Sequence, residues 1–383
     1  MTGDRRHQES RNSSRISRPV CVCGADRHEF YCREEALRIM KRSSIWKGSL
    51  GVLGLFSAGE YLLARFFVRR TLLRQKAANE RTKRLAGTNW DSYLAKIQRD
   101  REALLEMPHE DVFITAKDGL KLHAVYFDNE GSAAAEKSAK EAPPDAAQEA
   151  GKPKRAVICF HGYTSSGLKD YSSLALFYNS LGFSLFLVDE RAHGESEGTY
   201  IGFGCLDRYD ALCWIKEAVR RLGPDCALLL HGVSMGAATV LMTTGFRLPV
   251  QVKAAVSDCA FTSAREVFAS VLRNTYHLPP EPLLTIADRI AQREAGYGLN
   301  ACNARDEVRK TEIPVLFVHG EADSFVPFSM AQQLYAACRA PYKDFLAVPG
   351  AGHAESYYKD PALYEEKVKL LLSASGFSGF LHV

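Results

Sequence analysis

Ser234 stands at the centre of Gly232-Val233-Ser234-Met235-Gly236, which follows the apolar run Cys226 to Leu230 and His231. A serine that attacks a carbonyl is best presented on a sharp strand-to-helix turn, where glycines two residues before and after it avoid clashes. Ala237 to Phe246 then reads as a helix. Its N-terminus would aim free N–H groups and positive dipole at the place where an oxyanion forms. The chemistry implied is acyl transfer, and three other places along the chain supply what acyl transfer needs.

The apolar run Arg155 to Phe160 ends in His161-Gly162-Tyr163-Thr164, a His-Gly pair that commonly opens an oxyanion loop. Tyr163 and Met235 are the expected backbone donors of that hole, each worth about 3 kcal/mol of barrier. A second run, Ile313 to Val318, precedes His319-Gly320-Glu321-Ala322-Asp323. A carboxylate just past a strand end is where the acid partner belongs, and Asp323 is expected there, with Glu321 as its competitor. The short run Phe345 to Val348 leads through Pro349-Gly350-Ala351-Gly352 to His353, the expected general base. The chain order is Ser, Asp, His, as this type of sheet requires.

With those residues in view, the chain resembles an α/β-hydrolase of the serine-aminopeptidase and monoacylglycerol-lipase-like branch, and within it bacterial membrane-anchored hydrolases. The similarity rests on the His161 loop, Asp189-Glu190-Arg191-Ala192-His193-Gly194-Glu195-Ser196, the Ser234 elbow, Ser257-Asp258-Cys259-Ala260-Phe261, Leu278-Pro279-Pro280, the Asp323 loop and His353. It spans Asp111 to the C-terminus. It implies a mostly parallel eight-stranded sheet flanked by helices, a catalytic set Ser234, Asp323 and His353, and Asp323 rather than Glu321 as the acid. It implies little about substrate.

The elements that would position these groups alternate. Two short strands, Asp111 to Ile114 and Leu122 to Phe127, join at Lys117-Asp118-Gly119. Apolar runs from Arg155, Ser184, Cys226, Val252, Ile313 and Asp344 then alternate with helical patterns, the signature of a parallel sheet covered on both faces. The hydrolase domain is expected over 107–383. Residues 129–154, rich in Ala, Glu, Lys and Pro, form an expected mobile insertion, and residues 261–312 an expected helical cap. The Leu, Phe and Tyr content of that cap suits an acyl pocket and equally suits packing onto the core.

Upstream, residues 71–106 are charged with helical periodicity and read as a connector. Residues 45–70 read as a membrane anchor helix, uncharged from Gly48 to Gly59 but interrupted by Glu60 and Arg65. An amphipathic helix on a bilayer or on the domain is the alternative. Basic residues flank both ends, and Arg69, Arg70, Arg74 and Lys76 favour a cytoplasmic catalytic domain by the positive-inside rule. Residues 1–44 are polar and basic and expected to be disordered, and Met40-Lys41-Arg42 before the apolar stretch makes Met40 an alternative start.

Composition narrows the function. At 383 residues with 46% hydrophobic content the chain can build a large core, and its net charge of +4 is concentrated before Arg101. Nothing interleaves aromatic and basic residues as single-strand binders do, so no nucleic-acid partner is expected. No phosphate-cradling glycine loop and no His-Glu-x-x-His helix occur, so no cofactor and no metal is expected. Cys21, Cys23 and Cys32 with His28 lack paired zinc spacing. The ten scattered cysteines suit a reducing compartment. The expected activity is a serine hydrolase acting on an ester, amide or thioester, foremost a carboxylesterase or lipase for small or medium, lipid-like acyl groups. An aminopeptidase-like peptidase and a non-catalytic hydrolase-fold binder are the alternatives.

Overall fold

The computed structural model describes residues 58–75, 88–129 and 154–377. The expected tail 1–44, the anchor up to residue 57 and all but the ends of the expected insertion 129–154 lie outside them.

Eight strands form one sheet in the order β1-β2-β4-β3-β5-β6-β7-β8. They are β1 (Glu110–Thr115), β2 (Lys121–Phe127), β3 (Arg155–Phe160), β4 (Ser184–Asp189), β5 (Ala227–Val233), β6 (Val252–Asp258), β7 (Val315–Gly320) and β8 (Lys343–Val348). The sheet is mixed: β2 runs antiparallel to both β1 and β4, and the six strands from β4 to β8 are parallel. The expected strands are all present. β5 runs three residues past the expected Leu230, because His231, Gly232 and Val233 continue the ladder to β6.

The helices are α1 (58–72), α2 (Leu94–Leu105), α3 (Gly167–Ser180), α4 (Asp207–Leu222), α5 (Met235–Thr243), α6 (Ala264–Asn274), α7 (Leu283–Glu294), α8 (Ala304–Glu307), α9 (Phe328–Ala337), α10 (Ser356–Lys359) and α11 (Pro361–Ala374). Strand residues alternate between two cores. Ala156, Ile158 and Phe160 of β3 face the layer of α4, α5 and α6, whereas Val157 and Cys159 face that of α3 and α11. Both faces are buried, which is why these strands read as continuous apolar runs.

α1 departs from the expected 45–70 anchor. Ala64, Val68 and Leu72, spaced i, i+4, i+8, are buried in the core beside α4 and α6, and Phe67 meets Phe268 of α6 edge-on at 5.4 Å. Residues 60–70 are therefore part of the hydrolase body. No helix among the described residues is long and apolar enough to cross a membrane. The opposite face of α1 leaves Leu62 and Phe66 63% and 65% exposed. Past α1 the chain clasps the domain: the Arg74 N–H donates to Thr199 O at 2.8 Å, and the Ile201 N–H to Leu72 O at 2.7 Å.

Candidate active site

Ser234 is the single residue between β5 and α5, and it sits at φ 55° and ψ −111°. A non-glycine residue held at positive φ costs of order 1–3 kcal/mol and persists only where its surroundings fix it. Here the Ser234 N–H donates to Asp258 O at 2.8 Å and the Gly236 N–H to His161 O at 3.0 Å. The two flanking glycines are steric necessities. A Cβ on Gly232 would penetrate the Gly236 carbonyl, and one on Gly236 the carbonyl of Phe160.

The loop after β7 carries Asp323 and the loop after β8 carries His353. Ser234 Oγ lies 2.8 Å from His353 Nε2, and His353 Nδ1 lies 2.7 Å from Asp323 Oδ2. An ionised carboxylate can only accept, so the ring proton sits on Nδ1 and Nε2 accepts from the serine hydroxyl. That is the tautomer able to take the Ser234 proton. Asp323 is fixed in turn by the N–H groups of Phe325 and Val326, both 2.9 Å from Oδ1. Burial alone would push its carboxyl up, but the charge of His353 and hydrogen bonds from His319 and His353 hold it well below the usual carboxylate range. Burial would lower His353, and Asp323 outweighs it, so the imidazole is raised above 6.5. Glu321 is exposed, and the structure brings Asp323, not Glu321, to the imidazole.

Met235 opens α5 directly after the serine, and the His161-Gly162-Tyr163 loop abuts it: a Cβ on Gly162 would be 3.4 Å from Ser234 Cβ. Among the described residues neither the Met235 nor the Tyr163 N–H donates to a protein acceptor. Both remain available to an incoming oxyanion.

The serine opens onto a cavity of about 520 Å³. Its lining departs from the expected acyl pocket under a cap. Residues 261–312 do form helices, but none lines this cavity. Phe268 of α6 instead packs against Phe203 at 4.8 Å and against Phe67. The wall is the connector: Trp90, Leu94 and Ile97 face Phe325, Tyr357 and Tyr358. The connector also holds the histidine loop. Thr88 Oγ1 donates to His353 O at 2.8 Å, Tyr93 donates its hydroxyl to Glu355 Oε1 at 2.7 Å, and Glu355 Oε2 accepts from the Gly352 N–H at 2.7 Å.

Among the described residues, the atoms best suited to a metal are those of Cys259, Asp323 and His353, within 4.8 Å of one another. Burial drives the Cys259 thiol well up, so it stays a neutral, poor ligand. Asp323 and His353 already bond to each other.

The family model described as serine aminopeptidase, S33, matches residues 151–293. The uncharacterized protein YqkD of Bacillus subtilis (strain 168) is 32% identical over 220 residues, 57% of this chain and 71% of that protein. The chain belongs to the α/β-hydrolase family. The uncharacterized protein YfhR of Escherichia coli (strain K12) is 24% identical over 269 residues, 69% of this chain and 81% of that protein. In fold, the Pyrococcus furiosus esterase Pf2001 aligns with a TM-score of 0.54 at 21% identity, covering 71% of this chain and 93% of that one.

In this α/β-hydrolase chain several of the remaining polar residues are engaged in contacts within the fold. His231, beneath the elbow, lies between the hydroxyls of Tyr178 and Tyr364 at 2.9 and 3.0 Å, and burial lowers its pKa to about 3. Arg191 holds Asp210 through two hydrogen bonds of 2.6 and 2.7 Å, and Asp189 accepts from His123 at 2.8 Å. His277 is exposed. Sequence reasoning missed two groups. His319, read as a strand-end residue, places Nε2 3.2 Å from Asp323 Oδ2. Thr88, Trp90, Leu94 and Ile97 were absent from the expected site. The i, i+4, i+7 spacing of 90, 94 and 97 was the available signal, although Trp90 sits in a short turn ahead of α2.

Proposed function

We propose that this chain is a serine hydrolase of carboxylic esters working through a covalent acyl-enzyme. Ser234 Oγ attacks the ester carbonyl while His353 Nε2 takes its proton, and the oxyanion is held by the N–H groups of Met235 and Tyr163. The tetrahedral intermediate collapses, His353 returns the proton to the departing alkoxide, and an acyl-Ser234 ester remains. Water, deprotonated by His353, hydrolyses that ester and releases the acid. Asp323 holds the ring tautomer and stabilises the imidazolium.

The observation that carries this reading is the continuous Ser234–His353–Asp323 relay opening onto a cavity lined by Trp90, Leu94, Ile97 and Phe325. Small or medium acyl groups fit a space of about 520 Å³. Peptidase action is the nearest variant, suggested by the name of the matching family model. An aminopeptidase needs an acceptor for the substrate's ammonium group: Asp170 is taken up by the Gly162 N–H at 2.8 Å, Asp258 Oδ2 accepts from Tyr364 at 3.2 Å, and the one carboxylate oxygen left is Asp258 Oδ1, which is buried without a partner among the described residues. A binding protein without turnover has no need of all three groups in register.

The test is labelling of the full chain with a fluorophosphonate probe. Wild type is expected to label at one serine, and Ser234→Ala and His353→Ala to lose the label. A folded wild type that stays unlabelled overturns the reading. Membrane attachment through the N-terminal segment, with the hydrolase domain on the cytosolic side, belongs to the same proposal. Its support is the apolar Gly48 to Gly59 stretch and the exposed Leu62, Leu63 and Phe66 beside Arg65 and Arg69. The full chain should float with anionic vesicles, and a chain beginning at residue 60 should float less.

A further inference from the structure

We propose that the cavity takes an ester whose apolar portion ends in an anion, and that Arg101 is the group that holds that anion; this rests on the serine-hydrolase reading above. Leu94, Ile97, Gln98 and Arg101 fall on one face of α2 and all line the cavity. From Leu94 to Arg101 is about 10 Å along the helix. The face is apolar over its first turn and ends in a cation.

Arg101 Nε is buried and has no hydrogen-bond partner among the described residues. A buried donor left unmade costs roughly 1–3 kcal/mol, more for a charged group, and an anion would satisfy it. Asp100 and Asp170 are turned elsewhere. Asp100 accepts from Lys96 and from Ser173, each at 2.5 Å. Asp170 is taken up by the Gly162 N–H and the Ser165 hydroxyl, and Asp258, whose backbone carbonyl accepts from the Ser234 N–H, accepts from Tyr364 through Oδ2 while its Oδ1 is buried without a partner among the described residues. Lys169 also lines the cavity and adds positive charge.

Position separates this anion from the reacting carbonyl. Asp170, near the start of α3, holds Gly162 beside Ser234. Ser173, bonded to Asp100, lies about one helical turn further along α3. Arg101, next to Asp100 in α2, lies toward that end, and Ile97, Leu174 and Phe325 are among the apolar residues lining the same cavity. The fitting substrates are half-esters of short dicarboxylic acids, or esters of short hydroxy acids, according to which side of the bond points along α2.

The experiment compares kcat/KM of the full chain on 4-nitrophenyl half-esters of dicarboxylic acids of four to eight carbons with neutral 4-nitrophenyl esters of matched length. A second series, acetate esters of ω-hydroxy acids against neutral alkyl acetates, places the anion on the leaving group. We expect a preference of about tenfold or more for the anionic member of one series, equivalent to about 1.4 kcal/mol. In Arg101→Met the ratio should fall to near one through KM, and Arg101→Lys should restore part of it; melting curves verify folding. Equal rates for anionic and neutral esters in wild type, or a ratio untouched in Arg101→Met, overturn the proposal. If no ester turns over, protection of Ser234 from the fluorophosphonate by monomethyl suberate against methyl octanoate gives the same comparison. Loss of labelling in wild type instead removes the serine-hydrolase reading itself.

Discussion

His353 is pressed between a serine hydroxyl and a carboxylate, and its titration should govern activity. Because Asp323 outweighs burial and raises the imidazole above 6.5, and only the neutral ring can accept the Ser234 proton, kcat/KM should fall on acidification with a midpoint above 6.5. Asp323→Asn removes the charge that favours imidazolium, so the midpoint should move down while turnover drops by about 10⁴. A pH–rate profile of both proteins checks the sign and the size. Gly236→Ala should abolish labelling of Ser234 in whatever protein folds, because the new methyl meets the Phe160 carbonyl. These residues were legible in the sequence because each sits in a local motif at a strand end. Thr88 and Arg101 were not, since what makes them part of the site is a contact with a distant loop or with the cavity, which their neighbours in the chain do not signal.

At the scale of elements, α1 and the segment leading into α2 hold parts of the candidate site. Tyr163, one of the two oxyanion donors in the proposed mechanism, donates its hydroxyl to Thr71 O at 2.9 Å, and Thr88 donates to the carbonyl of His353. A chain beginning at residue 107 should therefore lose fluorophosphonate labelling, and one beginning at residue 58 should keep it. Leu72→Ala should cost about 2–5 kcal/mol of stability, read by denaturant unfolding. Hydropathy read 45–70 as one spanning segment because Leu62, Leu63 and Phe66 count equally wherever they point. Only the burial of Ala64, Val68 and Leu72 separates the packed face from the open one. The 261–312 segment was legible as helical, but not its orientation: Phe268 satisfies itself against Phe203 and Phe67 rather than roofing the serine.

Across the whole molecule the sheet was the most legible level, because strands buried on both faces announce themselves as unbroken apolar runs. What the runs could not reveal is that β2 opposes its neighbours, since direction depends on pairing and not on composition. Most of the thiols are enclosed as well, although of them only Cys159 lies within a strand. Of the seven described cysteines, Cys213 alone is partly exposed. In the native protein, mass-mapped alkylation should modify Cys213 well ahead of Cys159, Cys205, Cys226, Cys259, Cys302 and Cys338, all of which should react together on unfolding.

Thr88 and His353, joined by one hydrogen bond, are 265 residues apart in the chain. At roughly 5–20 residues per second of synthesis, the ribosome releases the cavity wall some 13 to 53 seconds before the histidine it steadies. During that interval Trp90, Leu94 and Ile97 have no Tyr357 or Tyr358 to share a cavity with, and Ser234 lacks the base assigned to it in the proposed mechanism. Under the proposed mechanism, a growing polypeptide of this sequence is chemically silent until the loop after β8 has emerged, and competence for the reaction arrives with His353.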